Sequence, residues 1–186
     1  MTPAWFVPTV RATEWQPLAA VATFLAAVSA VAAYDGHWPV GLLGVAGGAL
    51  AAAVVAGLRD PAGALLAAVP TSAATRRARR LALLVPAGLG VWLAYLGAGQ
   101  HLVPGLGWPV GPVVALIAGG VAVAAWAPQG SAQTAAGVGV PLIWTAAGRS
   151  AGGLGENAAG VLFAWQHHPW LVTVAAVAAL LKEGKR

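Results

Sequence analysis

Residues 58–80 read LRDPAGALLAAVPTSAATRRARR and form the one long polar and basic interruption in a chain that is otherwise built of apolar segments. This stretch carries five of the ten lysine and arginine residues of the protein. Because basic residues collect on the cytoplasmic side of membrane proteins, the stretch predicts how the apolar segments on either side of it are oriented. We expect it to be a surface that the chain presents to a cytoplasmic partner.

The composition of the chain predicts its class. Of 186 residues, 59% are hydrophobic and 8% are charged, and the mean hydropathy is +0.78. A soluble domain of this length needs more charge to cover its exterior. We therefore predict an all-α, polytopic protein of the plasma membrane, with residues 1–186 forming a single transmembrane domain. Basic residues at membrane edges account for the isoelectric point of about 10.8 without a nucleic-acid partner. The absence of cysteine excludes disulfides and thiolate metal sites.

Hydropathy predicts about six membrane-spanning helices, at approximately residues 17–33, 40–57, 81–98, 109–126, 134–147 and 170–181. Pro86 lies inside the third and predicts a kink there. The last segment is short, because about 12 residues rise only about 18 Å in a helix while the hydrocarbon layer is about 30 Å thick. We therefore predict a re-entrant helix within an outer segment, residues 148–169, before the sixth span.

The charges at the ends of these segments predict that both termini face the cytoplasm. Nine basic residues fall in predicted inner segments, whereas the outer segments hold only Arg149. Residues 1–16 are amphipathic and predict an interfacial segment on the inner face. An alternative is a signal peptide cleaved near Ala32, after an apolar run with small residues. Four tryptophans are predicted to form an aromatic belt at the outer boundary, namely Trp38, Trp108, Trp165 and Trp170.

The residues of the inner segment 58–80 predict where short helices begin and end. Asp60 can cap a short helix that begins at Pro61, a position where the missing N–H costs nothing. This helix would end before Pro70, and Thr71 or Ser72 would cap the next one. The first turns of that next helix carry four arginines that are predicted to lie at the membrane surface, Arg76, Arg77, Arg79 and Arg80. The alternative interpretation of the segment is a plain connector with lipid-binding arginines.

The run DPAGALLAAVPTS, followed by basic residues and an apolar helix, resembles the coupling-helix region of ABC-2 type transporter permeases. The order of segments is also similar, with an amphipathic start and a re-entrant element before the sixth span. The chain departs from the family at Gly63 and Ala64, where an acidic residue often precedes the leucine pair, and it is shorter than usual.

The resemblance implies that the segment docks into a separate cytoplasmic ATP-binding subunit, and that ATP and Mg²⁺ are bound there. Two copies of the chain, or one copy and a similar permease, would form the path. The implied docking residues are Asp60, Pro61, Leu65, Leu66, Val69, Pro70 and Ser72.

We expect the chain itself to be neither an enzyme nor an ATPase, and to bind no cofactor. It contains no G-x-x-x-x-G-K-[ST] motif, and the predicted spans contain no Asp, Glu, Lys or His for catalysis or ion coupling. A path without charges suits export of an apolar or amphiphilic compound, driven by energy from outside the chain. Small residues predict close helix packing in the first two spans, namely Ala26, Ala30 and Ala33 and then Gly44, Gly47 and Gly48.

Two other functions remain open from the sequence. One is a substrate-binding membrane subunit of an energy-coupling-factor importer, which is also compact and lacks its own ATPase. The other is a non-transporting metal or haem scaffold, because imidazole is a common metal ligand and four histidines map to the predicted outer side. These candidate ligands are His37, His101, His167 and His168, and no H-x-x-x-H spacing links them.

Overall fold

The structure is a computed structural model, and it describes residues 5–59, 72–104, 106, 109–127, 131–150 and 166–183. Every regular element in these ranges is helical, which confirms the all-α prediction. A 3₁₀ turn, Val40–Leu42, leads directly into the third α-helix. The seven α-helices are α1 (Phe6–Ala12), α2 (Gln16–Asp35), α3 (Leu43–Ala56), α4 (Ala73–Gln100), α5 (Val110–Trp126), α6 (Ser131–Ser150) and α7 (Pro169–Glu183).

Each of the six predicted apolar segments corresponds to one helix, α2 to α7, and α2, α4, α6 and α7 extend past the predicted apolar segments at both ends. Helix α4 begins at Ala73, in agreement with the predicted cap at Thr71 or Ser72, since the Ser72 Oγ accepts a hydrogen bond from the Thr75 N–H at 3.1 Å. It also continues through Pro86 without a break. Helix α6 runs through Ser150, so the predicted loop from residue 148 was wrong at its start.

Helix α3 is the centre of the bundle. Nine of its fourteen residues are buried, and it packs against α2, α4, α5 and α6. Helix α7 packs against α5, and α1 packs against α4. Alanine and glycine make up most of α3, and small side chains let four neighbours approach one helix closely.

Contacts along the helices give their directions. Gly57, which ends α3, lies against Glu14 just before α2 and against Leu84 early in α4. Gly99, late in α4, lies against Trp38 just before α3. Helices α2 and α4 therefore both run antiparallel to α3.

Contacts in the second half of the chain give the directions of α5, α6 and α7. Gly48, early in α3, lies against Thr145 late in α6, so these two helices are antiparallel. Gly111 at the start of α5 lies against Pro169 at the start of α7, so α5 and α7 are parallel. The six long helices alternate in direction, and the bundle has two ends. We call them the Arg80 end, where α4 begins, and the Trp38 end, where α4 finishes.

Two helices are long and apolar enough to cross a membrane, judged by length and composition. Among the described residues they are Gln16–Asp35 and Ala74–Gln100, whose apolar 18-residue windows have mean hydropathies of 1.8 and 1.9. Three shorter apolar helices accompany them, Val40–Ala56, Val110–Trp126 and Pro169–Lys182. Large apolar side chains are exposed on the outside of the bundle, among them Phe24 and Val31 on α2 and Leu171 and Val174 on α7.

Two glycines bring the backbones of α5 and α6 close together. A Cβ added at Gly120 would lie 2.8 Å from the Gly137 carbonyl oxygen, and one added at Gly137 would lie 3.0 Å from the Gly120 oxygen. Pro141 stands four residues after Gly137 and has no N–H to give to that carbonyl. The carbonyl therefore faces the Gly120 backbone, in the geometry of a Cα–H···O contact.

We expect Gly120→Ala to lower the free energy of unfolding by about 1–3 kcal/mol, because the added methyl group must push α5 away from α6. Thermal unfolding of the purified protein in detergent measures this. Gly119→Ala is the matched control, since a Cβ there would meet only ordinary contacts, the nearest at 3.7 Å. Equal melting temperatures for the two variants would contradict the close contact.

Candidate functional site

The candidate site is the Arg80 end of the bundle, where α3 finishes and α4 begins. Arg80 Nη1 donates hydrogen bonds to the carbonyl oxygens of Leu58, at 3.3 Å, and Arg59, at 2.6 Å. These carbonyls follow the last turn of α3, where helix geometry leaves acceptors without intrahelical partners. Arg80 is only 5% exposed. Its guanidinium therefore joins the end of one helix to the second turn of another.

Arg80 was predicted, with three other arginines, to lie at the membrane surface, but its side chain is buried within the bundle. Its side chain is buried because the end of α3 offers two acceptors that a guanidinium can reach together. Arg76, Arg77 and Arg79 are partly exposed, in agreement with a surface position. Spacing alone did not distinguish the four, since all stand within five consecutive residues.

Helix α1 packs against the same end. The Arg79 guanidinium lies 6.0 Å from the ring centroid of Trp5, in cation–π range. The Trp15 indole N–H donates to the Val10 carbonyl at 2.9 Å and joins α1 to the start of α2. The adjacent residues Arg79 and Arg80 thus contact two different elements. Arg79 contacts Trp5 at the start of α1, and Arg80 binds the carbonyls that follow α3.

In sequence, the predicted docking residues lie between Arg59 and Ser72. Asp60, Pro61, Leu65, Leu66, Val69 and Pro70 fall outside the described residues, and so does the predicted short helix that they form. The residues on either side are described. Arg59 is held through its carbonyl by Arg80, and Ser72 caps α4. The described residues on either side of the segment 60–71 therefore both contact α4.

We expect Arg80→Ala to lower the free energy of unfolding by about 2–3 kcal/mol, because it leaves two carbonyls in a buried position without their charged donor. Arg79→Ala removes the neighbouring charge and a cation–π contact at a partly exposed site, which is worth about 0.5–1 kcal/mol. Chemical denaturation in a mild detergent compares the two. A loss at Arg79 as large as at Arg80 would contradict the role given to the buried hydrogen bonds.

A second cluster lies at the Trp38 end. The Trp38 and Tyr95 rings are 4.9 Å apart, and the Trp92 and Tyr95 rings are 5.8 Å apart. Trp92 donates its indole N–H to the Pro109 carbonyl at 3.2 Å. The Trp38 indole nitrogen and the Tyr95 hydroxyl are buried without a hydrogen-bond partner among the residues that the structure describes. This aromatic cluster joins α4 to the chain before α3 and before α5.

The predicted aromatic belt is only partly consistent with these positions. Trp38 is 2% exposed, so it belongs to the core and not to an outer belt. The reason is Gly99, whose missing side chain leaves room for the indole against α4. Trp170 is 64% exposed, as a belt residue would be. Trp108 and Trp165 fall outside the described residues.

We expect Tyr95→Phe, in ligand-free protein, to raise the free energy of unfolding by about 1 kcal/mol, because it removes a buried hydroxyl that has no partner among the described residues. The control is Tyr34→Phe, since Tyr34 is 92% exposed and its hydroxyl stays in contact with the solvent. Thermal melting in detergent measures both. A destabilised Tyr95→Phe protein would mean that the hydroxyl makes a hydrogen bond worth keeping.

The four histidines all lie at the Trp38 end, as predicted, but they are not gathered into one site. His37 follows α2, His101 follows α4, and His167 and His168 precede α7, and all four are exposed. No group of three or more His, Cys, Asp or Glu side chains that could hold a metal ion occurs in the described part of the chain. Sharing one end of the bundle does not bring these imidazoles to a common point.

Comparison with known proteins adds no assignment. No protein-family model matches the chain, and no similar curated protein or solved structure is found.

Proposed function

We propose that this chain is the membrane-spanning permease subunit of an ATP-binding-cassette transporter of the ABC-2-like kind. In this proposal α2 to α7 cross the plasma membrane six times, and both termini and the Arg80 end face the cytoplasm. The exported compound is apolar or amphiphilic, and ATP is hydrolysed by a separate subunit.

Placement in a bilayer is supported by the exterior of the bundle and by the distribution of charge. Apolar side chains are exposed on α2, α6 and α7, and contiguous apolar surface is stable only against lipid or another protein. Seven of the eight described basic residues lie on elements of the Arg80 end, and the eighth, Arg149, lies near the end of α6 at the opposite end. This is the asymmetry that basic residues show across membranes.

The length of α4 supports the same placement. Its 28 residues rise about 42 Å, which exceeds the hydrocarbon layer by about 12 Å. The eight residues from Ala73 to Arg80 account for that excess, and they contain all four arginines of the helix. The basic turns of α4 would therefore lie at the headgroups while the apolar remainder spans the lipid.

The observation that carries the transport proposal is the Arg80 contact between α3 and α4. Arg80 donates hydrogen bonds to the carbonyls of Leu58 and Arg59. A movement of the segment 60–71 would therefore be transmitted to the end of α3 and to the beginning of α4 together. A partner that changes shape on hydrolysing ATP needs such a point of attachment. Leu65, Leu66 and Val69 are the apolar residues that the resemblance gives to that partner.

The path for the substrate is proposed to lie between two copies of the chain, or between this chain and a similar permease. Helix α2 offers a face for such contact, since Ala26, Ala30 and Ala33 are exposed on it and small residues allow close packing between helices in lipid. Gly47 and Gly48 are used inside the chain instead, against Val113 and Thr145. A Cβ added at Gly44 would have no neighbour within 4 Å, so Gly44 makes no close helix contact within the described chain.

We expect Leu65→Asp combined with Leu66→Asp to leave membrane insertion intact while removing the ATP-binding subunit from the complex, because a charge in an apolar contact loses hydration without gaining a partner. Affinity purification of the tagged protein in mild detergent, followed by identification of co-purifying proteins, measures this. Leu65→Met with Leu66→Met is the control, since it keeps the surface apolar. Full transport by the aspartate variant would overturn the coupling role.

The aromatic cluster favours one alternative, a substrate-binding subunit of an energy-coupling-factor importer. Trp38 and Tyr95 carry two adjacent buried donors that could hold a polar ligand from the outer side. Such a ligand would raise the melting temperature of the unaltered protein and have a weaker effect on Trp38→Phe. Co-purification of an ATP-binding subunit that depends on Leu65 and Leu66 would favour the exporter instead.

A further inference from the structure

One buried side chain lies in the connection between α2 and α3. Helix α2 ends at Asp35, and the 3₁₀ turn that precedes α3 begins at Val40. Among residues 33–42, all of which the structure describes, Trp38 alone is buried, and the others are exposed or partly exposed. The Trp38 indole is therefore the side chain by which the bundle holds this connection.

The indole fills a slot on α4 that Gly99 leaves open. A Cβ added at Gly99 would lie 2.6 Å from the Trp38 Cε2 and 2.8 Å from the Trp38 Cζ2. The Tyr95 ring, one turn earlier in the same helix, has its centroid 4.9 Å from that of the Trp38 ring. Since the slot exists because residue 99 has no side chain, the indole can enter or leave it without disturbing the backbone of α4.

The polar atoms of this contact oppose its closure. The Trp38 indole N–H and the Tyr95 hydroxyl are both buried without a hydrogen-bond partner in the part of the chain that the structure describes. Trp92, in the same cluster, does have one, since it donates its indole N–H to the Pro109 carbonyl. Burying a polar group without a partner is unfavourable, whereas burying the aromatic rings is favourable. The buried position of Trp38 is therefore less stable than its ring packing alone would make it.

We propose that Trp38 is a latch, and that residues 36–42 open and close over the end of α4. In the open position the indole leaves Gly99, and water reaches both the indole N–H and the Tyr95 hydroxyl. Gly36 supplies the hinge, because its φ of 65° is a conformation that L side chains rarely adopt. The latch does not depend on coupling to an ATP-binding subunit. It adds to the importer alternative, because a polar ligand could reach the two buried groups only while the latch is open.

The test is fluorine NMR of the protein labelled with 5-fluorotryptophan in detergent micelles, with a soluble gadolinium chelate as the probe of water access. The signal that is lost in Trp38→Phe belongs to Trp38. Trp170→Phe assigns Trp170 in the same way, as the reference for an indole at the same end that is 64% exposed. We expect the chelate to broaden the Trp38 signal, less than that of Trp170, although the closed position leaves Trp38 only 2% exposed.

A first pair of variants tests the unpaired polar groups. Tyr95→Phe removes one of them and so favours the closed position. We expect it to reduce the broadening of the Trp38 signal about fivefold, the ratio that about 1 kcal/mol produces. Tyr34→Phe is the control, since Tyr34 is exposed and its hydroxyl is not part of the contact.

A second pair tests the slot. Gly99→Ala places a methyl group where the indole lies, so it should raise the broadening of the Trp38 signal to that of Trp170. Gly97→Ala is the matched control, because it makes the same change two residues earlier in α4, where a Cβ would meet nothing within 4 Å. We expect the Trp38 signal of this control to match that of the unaltered protein.

Three results would overturn the latch. One is a Trp38 signal that stays sharp while the chelate broadens that of Trp170. Another is equal broadening in Gly99→Ala and Gly97→Ala. The third is a Tyr95→Phe protein whose Trp38 signal is broadened as much as in the unaltered protein or more, since the hydroxyl would then not oppose closure. None of these readouts involves the ATP-binding subunit, so they leave the transport proposal unaffected.

Discussion

The contact on which the bundle most depends is the one between the backbones of Gly120 and Gly137. Pro141 leaves the Gly137 carbonyl without its helical partner, and the Gly120 backbone packs onto it because neither residue has a side chain to intervene. Val55 of α3 packs against both glycines. The contact therefore holds α3, α5 and α6 together. In an interior of alanine and glycine, close approach of backbones replaces the interlocking of large side chains.

The two ends of this bundle are built differently. At the Trp38 end, large aromatic side chains fill the space between α4 and the chain before α3 and α5. At the Arg80 end, a buried guanidinium on backbone carbonyls makes the connection. A charged group in such a position is stable only with its acceptors in place. A movement of the chain that carries these carbonyls would leave the buried guanidinium without its acceptors, as the proposed coupling to a partner would require.

The proposed transport function and the proposed Trp38 latch use opposite ends of the bundle. Helix α1 and the described residues on either side of segment 60–71 lie beside α4, whereas Trp126 joins α5 to α7. Both proposals depend on the alternation of helix directions, which puts the start of α4 at one end and the start of α3 at the other. Helix α4 carries Arg80 near its start and Tyr95 and Gly99 near its finish. The partner contact and the latch would therefore act on the same long helix.

The sequence by itself determined the all-helical class, the approximate positions of six apolar helices and a helix cap at Thr71 or Ser72, because hydropathy and capping are local properties. It also determined that the basic residues collect at one end, because successive helices that run in opposite directions bring the basic segments to the same side. Only the tertiary structure decided which arginine is buried, that Trp38 belongs to the core, and that the four histidines remain apart. Each of these depends on neighbours distant in sequence. Arg80 is buried against the carbonyls of Leu58 and Arg59, and Trp38 packs against Gly99. The separation of the histidines depends on how far apart the helix ends lie. Periodicity cannot encode such neighbours, since it reports which face of a helix is apolar and not what lies opposite that face.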